Sequence, residues 1–521
     1  MISMTITSFS FFIFLIIALA VYYIAPAKLQ WWVLLILSVT FYMLAAVPYT
    51  ILFLIFTTFI AYSFTRLAVK DVDENGTPII NPHGSAFVAS AIIIIAAVWF
   101  LMKGSAYWIQ PSAFLHARIP FFPLLIAIPI ASAFGMGYYT CQAIGYIVDC
   151  YWGSSKPEKN FFRLFLFLAF FPQMTTGPIS KYKNLQLLYE PHVFSLERIQ
   201  RGAQRMLWGF FKCLVVSGRF GSVVNLVYSD PASYEGIWSW LALLAYPMQI
   251  YCDFSGSVDI VLGVAELFGV NLPENFNNPF FSESSQEFWQ RWHMSLGNWT
   301  RDYLMYPVLK NPKTVAFGKK MKKKFGKKIS KASTVTIAMF FSWFTMGVWH
   351  GNYKYIVGCG LYYWFIMSVS EFMKDKLEWV NKKLSIPVET YGWHLFRKIR
   401  TYLIYSISLV FFRADGIGTA FNFIKSLFGV FIGKFNPWIF FDGSLTATSL
   451  SVVDLNLMIV SLVILYIAAR LRDTNGYARN WIEGQGLVLR WSIWILLFVI
   501  VILYGNYGPN YSAADFIYQG F

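Results

Sequence analysis

Long apolar runs alternate with short polar stretches along most of this sequence. They lie at residues 5–25, 31–48, 49–67, 86–102, 206–228, 332–351, 354–370, 397–413, 452–470 and 490–507. Each run is about as long as a helix needs to cross a hydrocarbon layer. Together with the interrupted regions below, the pattern predicts an all-α polytopic membrane protein of about twelve transmembrane helices. No basic residue precedes the first run, so we interpret it as a retained span and not as a cleaved signal peptide.

Glycine and proline interrupt the apolar pattern at two places. Gly135 and Gly137 divide the region 120–152, which is too long for one simple span. Farther on, the segment 170–182 reads FFPQMTTGPISKY, and its prolines and glycine should end a helix. Inside a membrane, irregular backbone is tolerated only where protein buries it or where it lines a cavity. We therefore expect broken helices buried among their neighbours.

The apolar region 246–270 carries polar residues at a depth where hydrocarbon tolerates few. Gln249, Asp253 and Asp259 should therefore face the protein interior. Six positions separate the two acids, which sets them about 120° apart on a regular helix, so they would not share a face. We interpret them as orienting or helix-fixing groups in a glycine-broken helix, with direct chemistry as the alternative.

Two histidines stand in similar surroundings within residues 288–351. The segment 288–307, FWQRWHMSLGNWTRDYLMYP, places its large apolar side chains on one helical stripe and predicts an amphipathic helix in the membrane interface. His293 lies at the edge of that stripe. The apolar run 332–351 ends in GVWHG, with His350 at its tip. An ionisable side chain there is costly unless it faces a polar cavity.

These residues also carry a family resemblance. Trp292 and His293, the RDYLMYP that follows them, and the WHG at 349–351 resemble the signature of membrane-bound O-acyltransferases. The match is to the bacterial branch that includes alginate O-acetylases and teichoic acid D-alanyl transferases. YYTCQAIGYIVDCYWG, FFPQMTTGPISKY and FFRAD resemble the same family. The resemblance implies one membrane-embedded unit over 1–521, a motif-bearing core at about 120–415, and broken and interfacial helices around a central reaction chamber. The alternative is that both histidines are structural.

Composition agrees with a membrane protein and argues against nucleic-acid binding. The 521 residues are 57% hydrophobic and only 13% charged, which leaves too much apolar surface for a soluble exterior. The net charge is +16, but ten lysines fall within 310–331, and the rest of the chain carries only +6. We interpret this lysine-rich stretch as a cytoplasmic loop that contacts anionic membrane lipids. The five cysteines show no metal-ligand or disulfide spacing, so we predict neither a metal site nor an obligatory disulfide.

Acyl transfer to a hydroxyl needs a base, stabilisation of an oxyanion and two substrates held together. Burial keeps an imidazole neutral and able to accept a proton, so we predict that His350 is the catalytic base. His293 would orient the donor thioester or polarise its carbonyl. No GxSxG motif is present, which favours direct transfer over a covalent intermediate. Candidate substrate-binding residues are Gln249, Asp253, Asn298, Arg301 and Trp349.

The resemblance further implies a cytoplasmic acyl thioester donor, acetyl-CoA or another, with no bound cofactor. The acceptor would be an extracytoplasmic polymer such as peptidoglycan, alginate or a cellulose-like exopolysaccharide, commonly reached through a separate acetyltransferase partner protein. The chain would then be a multi-pass protein of the bacterial inner membrane. D-alanyl transfer to teichoic acid is one alternative, and a polytopic transporter is another, since broken helices and buried acids also suit transport.

Overall fold

The computed structural model describes residues 4–73, 77–104, 134–433 and 436–507, and these are almost entirely helical. Eight helices in this described part are long and apolar enough to cross a membrane: Ala27–Ala45, Pro48–Ala68, Gly84–Met102, Leu196–Ser229, Pro312–His350, Tyr353–Lys383, Val452–Asn475 and Leu487–Tyr504. The structure therefore confirms an all-α multi-pass membrane protein. The total of about twelve spans stays a prediction, because the first part of the 120–152 region lies outside the described residues.

The chain divides into two compact units, which are described separately. The first holds residues up to Met206 together with Ser257–Glu274. Its α-helices are Phe9–Ile24, Gln30–Ala45, Ile51–Ala68, Gly84–Trp99, Met136–Tyr151, Phe161–Ala169 and Phe171–Thr176. Short 3₁₀ or π segments are Ala27–Leu29, Pro48–Thr50, Phe100–Gly104 and Tyr182–Tyr189. Strands Val69–Val72 and Pro78–Ile80 pair antiparallel as a small hairpin.

Aromatic side chains and one ion-pair cluster hold the centre of the first unit. Phe171 meets the rings of Phe14, Phe41 and Phe268 at centroid distances of 5.5–5.6 Å. The buried Arg205 guanidinium pairs with Asp259 at 2.6 Å and with both oxygens of Glu274 at 2.8 and 3.0 Å.

Asp259 thus ties helix Ile237–Leu267 to Arg205 of helix Leu196–Phe210, and an orienting or helix-fixing role for the acid pair stays a prediction. The break predicted near Gly135 is present, since Gly135 adopts φ 69° immediately before helix Met136–Tyr151.

The second unit holds Leu207–Gly256 and Asn275–Tyr511. Its α-helices are Gly218–Ser229, Ser285–Arg291, Met294–Thr300, Tyr306–Lys310, Pro312–His350, Tyr353–Tyr355, Tyr362–Lys383, Tyr391–Arg413, Ile417–Ser426, Val452–Asn475, Ala478–Glu483 and Leu487–Tyr504. Its 3₁₀ and π segments are Phe211–Ser217, Pro279–Phe281, Arg301–Met305, Ile356–Leu361, Leu427–Ile432, Pro437–Phe440 and Ser444–Thr448. Helices Leu196–Phe210 and Ile237–Leu267 contribute residues to both units.

Three local predictions were wrong. The segment 288–307 is not one helix, because the chain turns at Trp292 and His293 and starts a new helix at Met294. The lysine-rich stretch is helical and not an irregular loop. Lys310 ends helix Tyr306–Lys310, and the other nine lysines lie on two helical segments of Pro312–His350 that meet at Gly326. The chain folds back there, since Ser330 Oγ donates to the Gly318 carbonyl at 2.7 Å. Lysine is a good helix former, so a run of charged lysines does not by itself indicate a loop. Helix Ile237–Leu267 is continuous and contains Pro247, so its glycines do not break it.

Candidate active site

His293 lies at a sharp corner between two short helices. Ser284 caps the N-terminus of helix Ser285–Arg291, and its Oγ accepts a hydrogen bond from the Glu287 backbone N–H at 3.2 Å. After Trp292 the backbone of His293 enters the left-handed region, with φ 45° and ψ 52°. This conformation costs a residue with a Cβ on the order of 1–3 kcal/mol, so contacts with the surrounding structure must stabilise it.

Asn275 makes the contacts that stabilise the backbone at His293. It is completely buried, and its backbone carbonyl accepts the Met294 N–H at 2.9 Å. Its side-chain Oδ1 accepts the Ser295 N–H at 3.0 Å and lies 3.3 Å from His293 Nδ1. Asn275 therefore fixes the corner through the two backbone N–H groups that follow His293 and through the histidine ring itself.

The same contacts define which nitrogen of His293 carries the proton. A backbone N–H can only donate, so the atom of Asn275 that faces Ser295 must be the amide oxygen. That oxygen can only accept, so His293 Nδ1 must be the N–H of the ring. Nε2 then carries the lone pair, and it has no hydrogen-bond partner among the residues that the structure describes.

Burial keeps this imidazole neutral. His293 is 3% exposed, and the edge of its ring meets Phe254 at a centroid distance of 4.9 Å. Desolvation, together with a smaller effect of the nearby His350, lowers the pKa of His293 to about 3. The ring is therefore an uncharged hydrogen-bond acceptor at physiological pH.

His350 is the last residue of helix Pro312–His350 and is 5% exposed. The following Gly351 adopts φ 140°, a conformation that side-chain-bearing residues rarely reach, and so ends the helix. The His350 ring lies 5.3 Å from Phe412 and 6.3 Å from Tyr355, measured between centroids. Its setting is thus aromatic and largely closed to water.

The structure brings the two histidines together through Trp349. The Trp349 ring lies 6.5 Å from the His293 ring and 5.0 Å from the His350 ring. Trp349 is itself 8% exposed. Two imidazoles separated by 57 positions in the sequence therefore belong to one buried cluster, hereafter the histidine cluster, made of His293, Trp349 and His350 with Asn275 and Phe254.

The other predicted site residues divide into two pairs. Asp253 is 4% exposed and Gln249 is partly buried, both on helix Ile237–Leu267. The Gln249 amide packs directly over Gly221, and Cys213 Sγ donates to the Asp253 carbonyl at 3.3 Å.

Asn298 and Arg301 instead lie on exposed surface, where Arg301 pairs with Asp302 at 3.0 Å. A substrate-binding role for all four stays a prediction.

Sequence reasoning missed Asn275 and Lys212. Asn275 stands 18 positions before His293 in a loop, and nothing in its neighbours distinguishes it. Lys212 offered a signal, because a lysine inside an apolar run is costly and marks a polar contact. It is 3% exposed, and its Nζ donates to Ser255 Oγ at 2.8 Å in the second unit.

Comparison with known proteins relates part of this chain to a family of acyltransferases. Residues 156–318 match the model of the membrane-bound O-acyltransferase family, and this range includes His293. Over residues 156–318 the chain is therefore similar to membrane-bound O-acyltransferases. This finding confirms the family resemblance and supports an O-acyltransferase; the matched range contains the WH motif and ends before the WHG motif.

The acyltransferase is similar to three kinds of named relative. It is 25% identical over 463 residues to the Azotobacter vinelandii protein named "Probable alginate O-acetylase AlgI", which covers 87% of this chain and 83% of that one. It is 29% identical over 262 residues to a Bacillus subtilis teichoic acid D-alanyltransferase, covering 49% and 62% of the two chains. It is 24% identical over 335 residues to a Helicobacter pylori peptidoglycan O-acetyltransferase, covering 59% and 58%.

Proposed function

We propose that this acyltransferase moves an acyl group, in the first instance acetyl, from a cytoplasmic thioester donor to a hydroxyl of an extracytoplasmic polymer. The acceptor class is a cell-wall polymer or exopolysaccharide, reached through a partner protein at the outer face of a bacterial inner membrane. The observation that carries the proposal is the histidine cluster, in which two buried imidazoles lie against one tryptophan ring. Named relatives that acetylate alginate and peptidoglycan support the acceptor class.

His350 serves as the general base in this proposal. The acceptor hydroxyl gives its proton to the imidazole while its oxygen attacks the thioester carbonyl carbon. The new C–O bond forms, the C–S bond breaks, and the departing thiolate takes the proton back from the imidazolium. Exclusion of water by Phe412, Tyr355 and Trp349 limits hydrolysis of the thioester.

His293 has a different task. With its proton on Nδ1 it offers only a lone pair at Nε2, so that atom cannot donate a hydrogen bond to polarise a carbonyl. A pKa of about 3 also makes it a weak base. Both facts support the orienting role: His293 Nε2 accepts a hydrogen bond from an amide N–H or a hydroxyl of a substrate and fixes its position.

D-alanyl transfer to teichoic acid is the second candidate. The 29% identity to the Bacillus subtilis D-alanyltransferase favours it, although that match covers only 49% of this chain. The alginate O-acetylase match covers 87%, which favours acetyl transfer. Supplying the membranes with labelled acetyl or labelled D-alanyl thioester and following label into polymer separates the two.

Replacement of each histidine tests the proposal. His350→Ala should reduce acyl transfer by about 10²–10⁴-fold, the usual cost of removing a general base. His293→Ala should cost less and should chiefly raise the KM for one substrate, because it removes a positioning contact. The measurement is label transferred to polymer or partner at matched expression, with each variant eluting as a single species.

His83→Ala is the matched control, since His83 is an exposed histidine outside the cluster. It should leave turnover unchanged. Near-native turnover by His350→Ala would overturn the assignment of the base.

A further inference from the structure

A basic pocket in the first unit has no part in the chemistry described so far. Its volume is about 830 Å³, within the range of small-molecule sites. Six cationic side chains line it against two carboxylates, Asp71 and Glu158. The cations are Arg66, Lys70, Lys156, Lys159, Arg163 and Lys183.

Arg163 is the most constrained of these cations. Its guanidinium lies between two aromatic rings, 5.6 Å from the centroid of Trp31 and 5.2 Å from that of Tyr189. Tyr189 also donates from its hydroxyl to the Arg163 carbonyl at 2.8 Å. The buried Nε of Arg163 has no hydrogen-bond partner among the described residues. A guanidinium held between two rings presents its positive charge in a fixed place, and its planar set of N–H donors suits an anion with several oxygens.

The nearest carboxylate does not neutralise the pocket. Glu158 Oε1 accepts the Asn160 N–H at 2.8 Å, and Oε2 accepts the hydroxyl of Tyr182. Its own N–H donates to the Tyr146 hydroxyl at 2.8 Å. Asp71 and Glu158 together offset two of the six cations, so the lining keeps a formal charge of +4 for an anionic ligand.

The pocket is built from anchored segments. The backbone N–H groups of Ser154 and Ser155 donate to the Asp149 carbonyl at 2.9 and 3.2 Å, which fastens the loop to helix Met136–Tyr151. Gly153, at φ 77°, lies so close to Pro78 of the hairpin that a Cβ would come within 2.6 Å of its ring. The cationic side chains thus project from a fixed frame.

We propose that this basic pocket binds the phosphate groups of the acyl donor, as a nucleotide-bearing thioester of the coenzyme A class. The assignment rests on the proposed function, which takes a thioester from the cytoplasm. Clustered lysine and arginine between apolar spans indicate the cytoplasmic side. Several phosphates in one small ligand match several cations in one pocket, with Arg163 at the fixed position and the lysines at the rim.

Binding of coenzyme A to the full chain in phosphatidylcholine nanodiscs tests the proposal by calorimetry. R163Q and the rim variant K70Q/K156Q/K159Q should each raise the Kd for coenzyme A tenfold or more. The rim variant changes only exposed side chains, so it keeps the test valid if R163Q fails to fold. The charge-matched control K374Q/K376Q/K382Q, on the exposed end of helix Tyr362–Lys383, should stay within twofold.

Competing ligands identify what the pocket recognises. Pyrophosphate should displace coenzyme A, and pantetheine, which has the same arm without phosphates, should not. Native-like Kd values for the rim variant would overturn the proposal. So would loss of coenzyme A binding in nanodiscs containing phosphatidylglycerol, because the pocket would then be a lipid headgroup site.

Transfer assays keep this proposal distinct from the proposed function. If the pocket variants bind coenzyme A normally while the native chain transfers acyl groups, only the pocket assignment fails. If coenzyme A binding depends on the pocket but no thioester donates an acyl group to any acceptor, only the proposed function fails. If both are right, the pocket variants raise the KM for the thioester tenfold or more and change kcat by less than twofold.

Discussion

The protonation of His293 depends on one amide oxygen. Asn275 Oδ1 faces a backbone N–H and an imidazole nitrogen, so it removes any choice of tautomer. The left-handed backbone at His293 is unfavourable, but it holds the Nε2 lone pair in a fixed, buried position. At the scale of single residues, the candidate site therefore combines His350 with a hydrogen-bond acceptor, His293 Nε2, whose position is fixed.

The low pKa of His293 should make stability depend on pH. Between its folded value of about 3 and the ordinary 6.5, the unfolded chain binds a proton that the folded chain does not. The contribution of His293 to stability is therefore full above pH 6.5 and is lost as pH falls toward 3. Its slope approaches about 1.4 kcal/mol per pH unit within that window. His293→Gln should remove this slope.

Thermal unfolding of the two proteins in detergent at pH 7, 6 and 5 measures the effect. All other titrating groups are common to both, so the difference between the two Tm curves isolates His293. The native Tm should fall more steeply with acid than that of His293→Gln. Parallel curves would show that His293 keeps an ordinary pKa in the folded chain.

At the scale of elements, the position of His350 depends on a close contact between backbones. Gly347, one turn before it, packs against the segment that follows Gly351. A Cβ there would lie 2.8 Å from Ile356 Cα and 3.1 Å from the Tyr355 carbonyl oxygen. Neither atom is the end of a flexible side chain, so a larger residue must displace the backbone.

Gly347→Ala should therefore lower the free energy of unfolding by about 1–3 kcal/mol. It should also reduce acyl transfer, since a shift of about 1 Å at a catalytic group can cost on the order of 10²-fold. Gly392→Ala is the matched control, because nothing lies within 4 Å of a Cβ there and Gly392 is in a helix. It should be neutral or slightly stabilising. Native Tm and turnover for Gly347→Ala would contradict the packing described.

Elements were predictable where an apolar run alone decides them. The runs 452–470 and 490–507 correspond to Val452–Asn475 and Leu487–Tyr504, because hydrocarbon enforces a helix that satisfies its own backbone. The corner at His293 was not predictable, since a contact with Asn275, and no local signal, fixes its backbone. Likewise the WH and WHG motifs identified both histidines, but periodicity could not show that Trp349 joins them.

At the scale of the whole molecule, all five cysteines are buried, and their spacing predicts no obligatory disulfide. A buried thiol usually serves as a small packing group, and Cys213 Sγ makes weak contacts with the carbonyls of Cys252 and Asp253. Replacing all five with alanine or serine should therefore leave a folded chain with substantial activity. That variant provides the background for mapping how the chain crosses the membrane.

The ten lysines of 310–331 fix the expected orientation. Although they lie on helical segments, moving such a cluster outward still opposes the insertion bias and the membrane potential. Lys323 is exposed, so Lys323→Cys in the cysteine-free background should react with an impermeant thiol reagent only after cells are permeabilised. The permeabilised sample is the control for reactivity. Rapid labelling of intact cells would place this helix outside, and with it would reverse the side from which the thioester donor must enter.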